Sequence, residues 1–229
     1  MRTDLSVHDA PAADTHRRAL RHDVLEGLRY VWSQPLLRAI ALAAGLANFG
    51  AAAVGAIFVL FALDTLGVTP FGFGLLLSAG AVGGLAGALF ADRVVGRRHR
   101  RRVLLTSKAI SAATTAGIGL ARSPAFAAAM LLATAAAVAV FNVVAQSLRQ
   151  AVSPARLLGR VITGVRMVGL GAAPLGALAG GAVARTAGLR TPILLAAASV
   201  TAAWLVLVPT LTRERIDAAV AANADLVER

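Results

Sequence analysis

The sequence predicts an all-α integral membrane protein whose fold is a bundle of six transmembrane helices. Hydrophobic residues make up 58% of the 229 residues, whereas charged residues make up only 15%. The apolar residues come in blocks of about 20, which is the length that a helix needs to cross a lipid bilayer. Lys and Arg residues gather at one set of block ends, as they do in multi-span proteins.

The residues before the first block predict an amphipathic helix. From Leu20 to Trp32, apolar residues recur at helical spacing and charged residues occupy the other face. Pro35 ends this helix. We expect the helix either to lie at the membrane interface, with Tyr30 among the lipid headgroups, or to pack on a partner domain. Residues 1–35 are assigned to an N-terminal cytoplasmic segment.

Six blocks of spanning length follow within a transmembrane domain over residues 36–212, and a cytoplasmic tail covers residues 213–229. Only Lys108 and Arg166 bring charge into the blocks. Each block is continuous and about twice as long as a spanning β-strand, so helices are favoured. The predicted spans cover residues 40–63, 73–91, 103–121, 125–145, 161–184 and 192–211.

The charge distribution predicts the orientation of the bundle. The connections are short, so neighbouring spans are antiparallel and no soluble domain lies between them. All but three of the 23 Lys and Arg residues then fall on one face, the exceptions being Arg122, Arg185 and Arg190. The positive-inside rule places that face and both termini in the cytoplasm, with the spans in the plasma membrane.

Other function classes lack support in the sequence. The basic run over residues 97–102 is explained by topology and has no interleaved aromatic residues, so we expect no nucleic-acid partner. The chain has no cysteine, no His/Glu spacing for a metal and no phosphate-binding loop. We therefore predict neither an enzyme nor a protein that holds a metal or a cofactor.

Four segments resemble the major facilitator superfamily of transporters. Residues 24–38 (VLEGLRYVWSQPLLR) are similar to the lead into the family's seventh helix, and residues 87–98 (GALFADRVVGRR) to its loop signature between helices eight and nine. Residues 154–161 (PARLLGRV) and 174–181 (PLGALAGG) resemble the tenth-to-eleventh loop and the eleventh helix. The similarity is strongest to drug or siderophore exporters and covers residues 20–212.

The resemblance implies secondary active transport, with efflux of a small amphipathic molecule by alternating access. The family has twelve helices in two halves, with the substrate site between them, and these six spans match the C-terminal half. The facing wall is then expected from a separate N-terminal half or a second copy, and the chain is expected to be a split or truncated gene product. The alternative is a non-transporting remnant or an assembly module that binds another membrane protein.

The resemblance also implies a gate in the loops at the basic face. In this role the carboxylate of Asp92 pairs with an arginine or caps a helix of the other half, whereas the alternative is a solvated loop acid. Ala88 and Gly96 depart from the family's glycine positions around the expected tight turn. The gate and loop residues are Asp92, Arg93, Gly96, Arg97, Arg98, Gly159 and Arg160.

Polar residues within the spans are candidates for the substrate pathway. The amide side chains either bind substrate or hydrogen-bond a neighbouring helix. Lys108 and Arg166 lie near the basic ends of their spans, where we expect them to snorkel to the interface or to cap their own helix; the alternatives are a gate ion pair and a substrate contact. The candidate pathway residues are Asn48, Phe49, Asn142, Gln146 and Arg166.

Glycine spacing in the second and fifth spans predicts close helix packing, because faces of small residues let two backbones approach. Pro174 removes one backbone hydrogen bond and should kink the fifth span. This span is therefore either a moving element in transport or one side of a static contact. The predicted packing residues are Gly83, Gly87, Pro174, Gly176 and Gly180.

Overall fold

The computed structural model describes residues 27–97, 100–152, 158–212 and 214–215. Within them, six helices are long and apolar enough to cross a membrane, which confirms the predicted fold class. We label these helices α1 (Pro35–Gly55), α2 (Pro70–Arg97), α3 (Arg100–Leu120), α4 (Pro124–Val152), α5 (Leu158–Ala187) and α6 (Thr191–Thr210).

Short connections make successive helices antiparallel, so the bundle has two ends. We call one the basic end, because Arg100, Arg101 and Arg102 begin α3 there and Arg149 lies near the end of α4. The opposite end, the far end, holds the α1–α2, α3–α4 and α5–α6 connections. Two of these turn at glycines in the left-handed region, Gly67 (φ 67°) and Gly188 (φ 82°), where a side chain would be strained.

The first span is not the single helix that was predicted over residues 40–63. After α1 ends at Gly55, the backbone of Ile57 leaves the helical region, and a short helix (Phe58–Leu60) and a π-helical turn (Phe61–Thr65) follow. The break follows Gly55, and glycine is a poor helix former. It lets two buried aromatic rings, Phe58 and Phe61, turn into the far-end core with their centroids 6.3 Å apart.

Two further helix ends differ from the predicted ones. α4 runs to Val152 rather than to Ala145, because the polar residues that end the hydropathy block face a cavity instead of lipid. α2 continues beyond Ala91 to Arg97. The backbone at Gly96 is therefore helical, which agrees with the departure of Ala88 and Gly96 from the family's glycine positions around its tight turn.

The helix contacts have an internal two-fold pattern. α1 packs against α5 and α6, α4 packs against α2 and α3, and α3 packs against α6. The chain thus consists of two three-helix units, in which the first helix of each contacts the second and third helices of the other. The core lies in two clusters, one towards each end of the bundle.

Glycines bring the two units into direct backbone contact. At four positions in the six spans a Cβ atom would overlap the backbone of the neighbouring helix, so only glycine permits this separation. The pairs are Gly83 with Leu132, Gly87 with Ala136, Gly176 with Phe49 and Gly180 with Ala53. α5 continues through Pro174, whose ring is exposed and lies outside these contacts.

Arginines fasten α3 to α6 at both ends of the bundle. At the basic end, Arg101 Nε donates a hydrogen bond to the Leu211 carbonyl oxygen (2.5 Å). At the far end, Arg190 Nη1 donates to the Gly119 carbonyl oxygen (2.8 Å), and its guanidinium lies 5.8 Å from the Phe61 ring centroid. Each arginine thereby satisfies a carbonyl at a helix C-terminus that would otherwise lack a donor.

Part of the predicted amphipathic helix packs onto the bundle. Residues 27–33 are helical, and residues 20–26 lie outside the described residues. Val31 is fully buried in the core cluster at the basic end. A Cβ atom at Gly27 would overlap the Arg160 backbone, so this segment rests against the start of α5.

Candidate functional site

A large cavity opens between the helices. Its volume is about 1290 Å³, and residues from all six helices line it. Many lining side chains of α1, α4 and α5 remain exposed, among them Asn48, Asn142 and Leu170. The cavity therefore has a wall on one side and is open on the other.

Helix α4 supplies a polar strip of this wall. The polar lining residues Asn142, Gln146 and Arg149 recur at intervals of four and three positions, so they share one helix face. They include two predicted residues, Asn142 and Gln146. Since α4 continues to Val152, Asn142 lies about 15 Å from the basic end of the helix, near mid-depth and deeper than the predicted span implied.

Asn48 lines the cavity from α1. Its Nδ2 donates a hydrogen bond to the Ala44 carbonyl oxygen of the same helix (2.8 Å). A Cβ atom at Gly169 of α5 would lie 3.0 Å from this nitrogen, so the amide sits directly against α5. Phe49, the other α1 candidate, lies in the α1–α5 contact and is absent from the cavity lining, because its position on α1 faces the neighbouring helix.

Lys108 is buried inside the bundle rather than extended to its surface. Only 3% of the residue is exposed, and Nζ lies 4.2 Å from the Phe141 ring centroid. Because α3 begins at Arg100, Lys108 is about 12 Å from the basic end, deeper than snorkelling requires. Within the described residues its ammonium group has no hydrogen bond and no ion pair, while the negative face of the ring stabilises the charge.

Two arginines also line the cavity. Arg149 is half-buried, and its Nε donates to the Ala145 carbonyl oxygen (3.2 Å). Arg166 is exposed and close enough for electrostatic repulsion between the two guanidinium groups. Neither Asp nor Glu is present among the described residues that line the cavity. The charge of the wall is therefore entirely positive.

The predicted gate residues lie apart from this cavity where they are described. The Arg93 guanidinium is stacked 5.2 Å from the exposed Phe90 ring. Gly159 is exposed at the start of α5, and the backbone of Arg160 packs against Gly27. The side chains of Asp92 and Arg97, and all of Arg98, lie outside the described residues.

Sequence reasoning missed several lining residues. Arg149 and Gln150 were left outside the predicted fourth span, although their spacing from Asn142 and Gln146 continues one helix face. That periodicity was the available signal. No signal in the sequence pointed to Ser111 as a lining residue, since a serine in an apolar helix is ordinarily satisfied by its own backbone.

Six apolar helices around a large, partly polar cavity define a multi-pass membrane protein. A family model described as the Major Facilitator Superfamily matches residues 40–228, and the chain belongs to this family. Members of this family are transporters, so the general function of the chain is membrane transport. A search of curated proteins found no match.

Proposed function

We propose that the chain is the C-terminal half of a secondary active transporter that exports a small amphipathic molecule by alternating access. The observation that supports this most is the one-sided cavity. Exposed polar and apolar side chains of α1, α4 and α5 line its open side, where a second six-helix half would close a pathway near the membrane midplane.

The facing half is proposed to be an N-terminal six-helix half or a second copy of this chain. The two halves of such transporters are parallel repeats related by an axis along the membrane normal. Two copies are therefore able to face each other in the same orientation, which makes both arrangements geometrically possible.

The basic end is proposed to face the cytoplasm of the plasma membrane. The positive residues Arg100, Arg101 and Arg102 lie at that end. The far end holds few positive residues, Arg122 and Arg190 among them. This distribution follows the positive-inside rule. In this orientation the cations of the cavity lie on its cytoplasmic side, and the gate assigned to Asp92 closes the pathway from the cytoplasm.

Reconstitution into proteoliposomes tests transport directly. The chain is incorporated alone and together with any six-span first half encoded directly upstream, and uptake of carboxyfluorescein and of ethidium, two poorly permeant amphipathic dyes, is followed by fluorescence. We expect uptake above protein-free vesicles once a facing half is present. No uptake of either dye in any arrangement, with folded protein confirmed, would contradict the proposal and favour a non-transporting assembly module.

A further inference from the structure

We propose that the cavity binds an amphipathic anion, with its negative group among Lys108, Arg149 and Arg166 and its apolar body towards the far end. This inference rests on the proposed function, because it names the class of substrate for the same cavity. It goes further in one respect: the sign of the substrate's charge follows from side chains that this chain alone supplies.

The cavity gathers positive charge from three different helices. Lys108 comes from α3, Arg149 from α4 and Arg166 from α5, and all three line the cavity. No carboxylate of the described residues accompanies them there. Charges at membrane depth are expensive, and they are kept where they pair with one another or contact a substrate. An anion that enters the cavity supplies the missing partner.

Lys108 and Ser111 show that the site is built into the wall. They are one helical turn apart on α3, only 3% and 2% exposed, and both line the cavity. Within the described residues neither the ammonium group nor the hydroxyl group has a hydrogen-bond partner. Two unpartnered donors on buried residues that line one cavity are suited to an acceptor such as a carboxylate or a sulfonate.

The arginines and amides extend the same chemistry along the wall. Arg149 and Arg166 are both positively charged and both line the cavity, so their guanidinium groups can bind an anion that enters it. Gln146 lies between Arg149 and the level of Lys108 on the same wall, and Asn142 lies at the level of Lys108, next to Phe141. Within the described residues no hydrogen bond engages either amide. Their NH₂ groups therefore remain available to a polar headgroup.

Towards the far end the cavity lining is mostly apolar, with Thr115 and Thr134 among its residues. Along the bundle axis, the cavity thus changes from cationic and amide-lined to hydrophobic. A molecule with one anionic end and one apolar body matches this arrangement, whereas an amphipathic cation would place its charge among three like charges. The apolar lining residues are Val54, Phe58, Leu77, Ile118, Leu131 and Ile193.

A pair of ions with the same shape tests the sign of the preferred charge. Tetraphenylborate and tetraphenylphosphonium carry opposite charges on the same apolar body. Their binding to the purified chain in phosphatidylcholine nanodiscs is measured by equilibrium dialysis, with empty nanodiscs subtracted. We expect saturable binding of the anion, tighter than that of the cation by about tenfold or more, because charge-assisted contacts are lost with the cation.

Variants then locate the binding. Lys108→Met and Arg166→Gln are each expected to weaken tetraphenylborate binding by about tenfold, whereas Lys108→Arg should retain most of it. The matched control is Arg122→Gln, which removes a cation that is exposed at the far end, outside the cavity lining. Equal affinity for the two ions, or unchanged affinity in both cavity variants, would overturn the proposal.

Two arms identify the source of the negative charge. In the first, phosphatidylglycerol is added to the nanodiscs; displacement of tetraphenylborate would assign the site to a lipid headgroup and overturn the proposal. In the second, the chain is extracted from its native membranes with any partner retained. Anion binding in this preparation supports the proposal, and its loss would show that a carboxylate of the partner occupies the site.

The outcomes separate this inference from the proposed function. Anion binding without dye uptake in proteoliposomes would leave the inference standing and reject transport. Uptake of ethidium in preference to carboxyfluorescein would support transport and reject the inference, since the transporter would then prefer a cation to an anion.

Discussion

The stability of the chain depends on two opposing contributions from Lys108, the cost of burying its charge and the gain from its contact with an aromatic ring. Burial of an unpaired ammonium group costs several kcal/mol, whereas the contact with a desolvated aromatic ring returns about 2 kcal/mol. The ring of Phe141, 4.2 Å from Nζ, is therefore too weak a partner to offset burial. Lys108 therefore lowers the stability of the isolated chain, and a ligand or a facing surface is needed to offset the cost of burying its charge.

Lys108→Met should stabilise the purified chain. The substitution keeps the length of the side chain and removes the buried charge, so we expect the free energy of unfolding to rise by about 1 kcal/mol. Unfolding in mixed micelles with increasing sodium dodecyl sulfate measures this, with Lys108→Arg as the variant that retains the charge. A loss of stability of similar size would mean that the ammonium group already has a strong partner.

The sequence predicted which polar residues line the cavity better than it predicted which way a residue on a helix faces. Asn48, Asn142, Gln146 and Arg166 were selected as polar residues within apolar spans, and the structure places all four in the cavity lining. Phe49 shows the limit of that reasoning. Its direction depends on how α1 is rotated against α5, and this rotation is set by glycine contacts between helices that are distant in sequence.

At the scale of helices, glycines determine where backbones meet. The α2–α4 and α1–α5 contacts each use two glycines one turn apart. Van der Waals packing is the main source of attraction between helices in lipid, where the hydrophobic effect is absent, so close approach contributes directly to stability. Neighbouring glycines on the same helices face open space and offer matched controls.

Gly87→Ala should destabilise the bundle, whereas Gly84→Ala should not. A Cβ atom at Gly87 would overlap the Ala136 backbone, and nothing lies within 4 Å of the corresponding atom at Gly84. We expect a loss of about 1–3 kcal/mol at Gly87 from overpacking, and a change of less than about 1 kcal/mol at Gly84. Unfolding of both variants in sodium dodecyl sulfate distinguishes them. Equal effects would show that helix propensity, rather than the contact, controls stability.

The arginines between α3 and α6 give a second test at this scale. Arg190→Gln removes a charged hydrogen bond to the Gly119 carbonyl oxygen and a contact with Phe61. We expect a loss of about 1.5–3 kcal/mol in the free energy of unfolding. Arg122→Gln, which alters an exposed arginine at the same end, serves as the control. An equal loss in the control would assign the effect to net charge.

Helix ends were predicted poorly where polar residues continue a helix. The prediction from apolar blocks ended the fourth span at Ala145, because it takes polar residues as the edge of the membrane. In the structure, Gln146, Arg149 and Gln150 belong to the same helix and face the cavity. Hydropathy therefore identifies the lipid-facing length of such a helix, whereas its cavity-facing length is set by the packing of the whole bundle.

At the scale of the whole molecule, the sequence predicted the class and the number of spans. Apolar block length and the asymmetry of positive charge were sufficient for this. The two-fold relation between the three-helix units was not predicted, because it rests on contacts between helices that are not neighbours in sequence. That relation places the cavity between α1, α4 and their partners, with its open side where a facing half is proposed.

The most direct test of the account asks whether the open face of the cavity is an aqueous pathway or a lipid-facing surface. The chain has no cysteine, so single cysteines can be introduced at Asn142 and Leu170, which are exposed and line the cavity, and at Leu89 and Leu178, which are exposed but outside the lining. Reaction with a membrane-impermeant maleimide is followed in sealed vesicles of either orientation. The account predicts rapid labelling of Asn142→Cys and Leu170→Cys from the basic side and little labelling at Leu89→Cys and Leu178→Cys. Cavity cysteines as unreactive as the lipid-facing pair would contradict it.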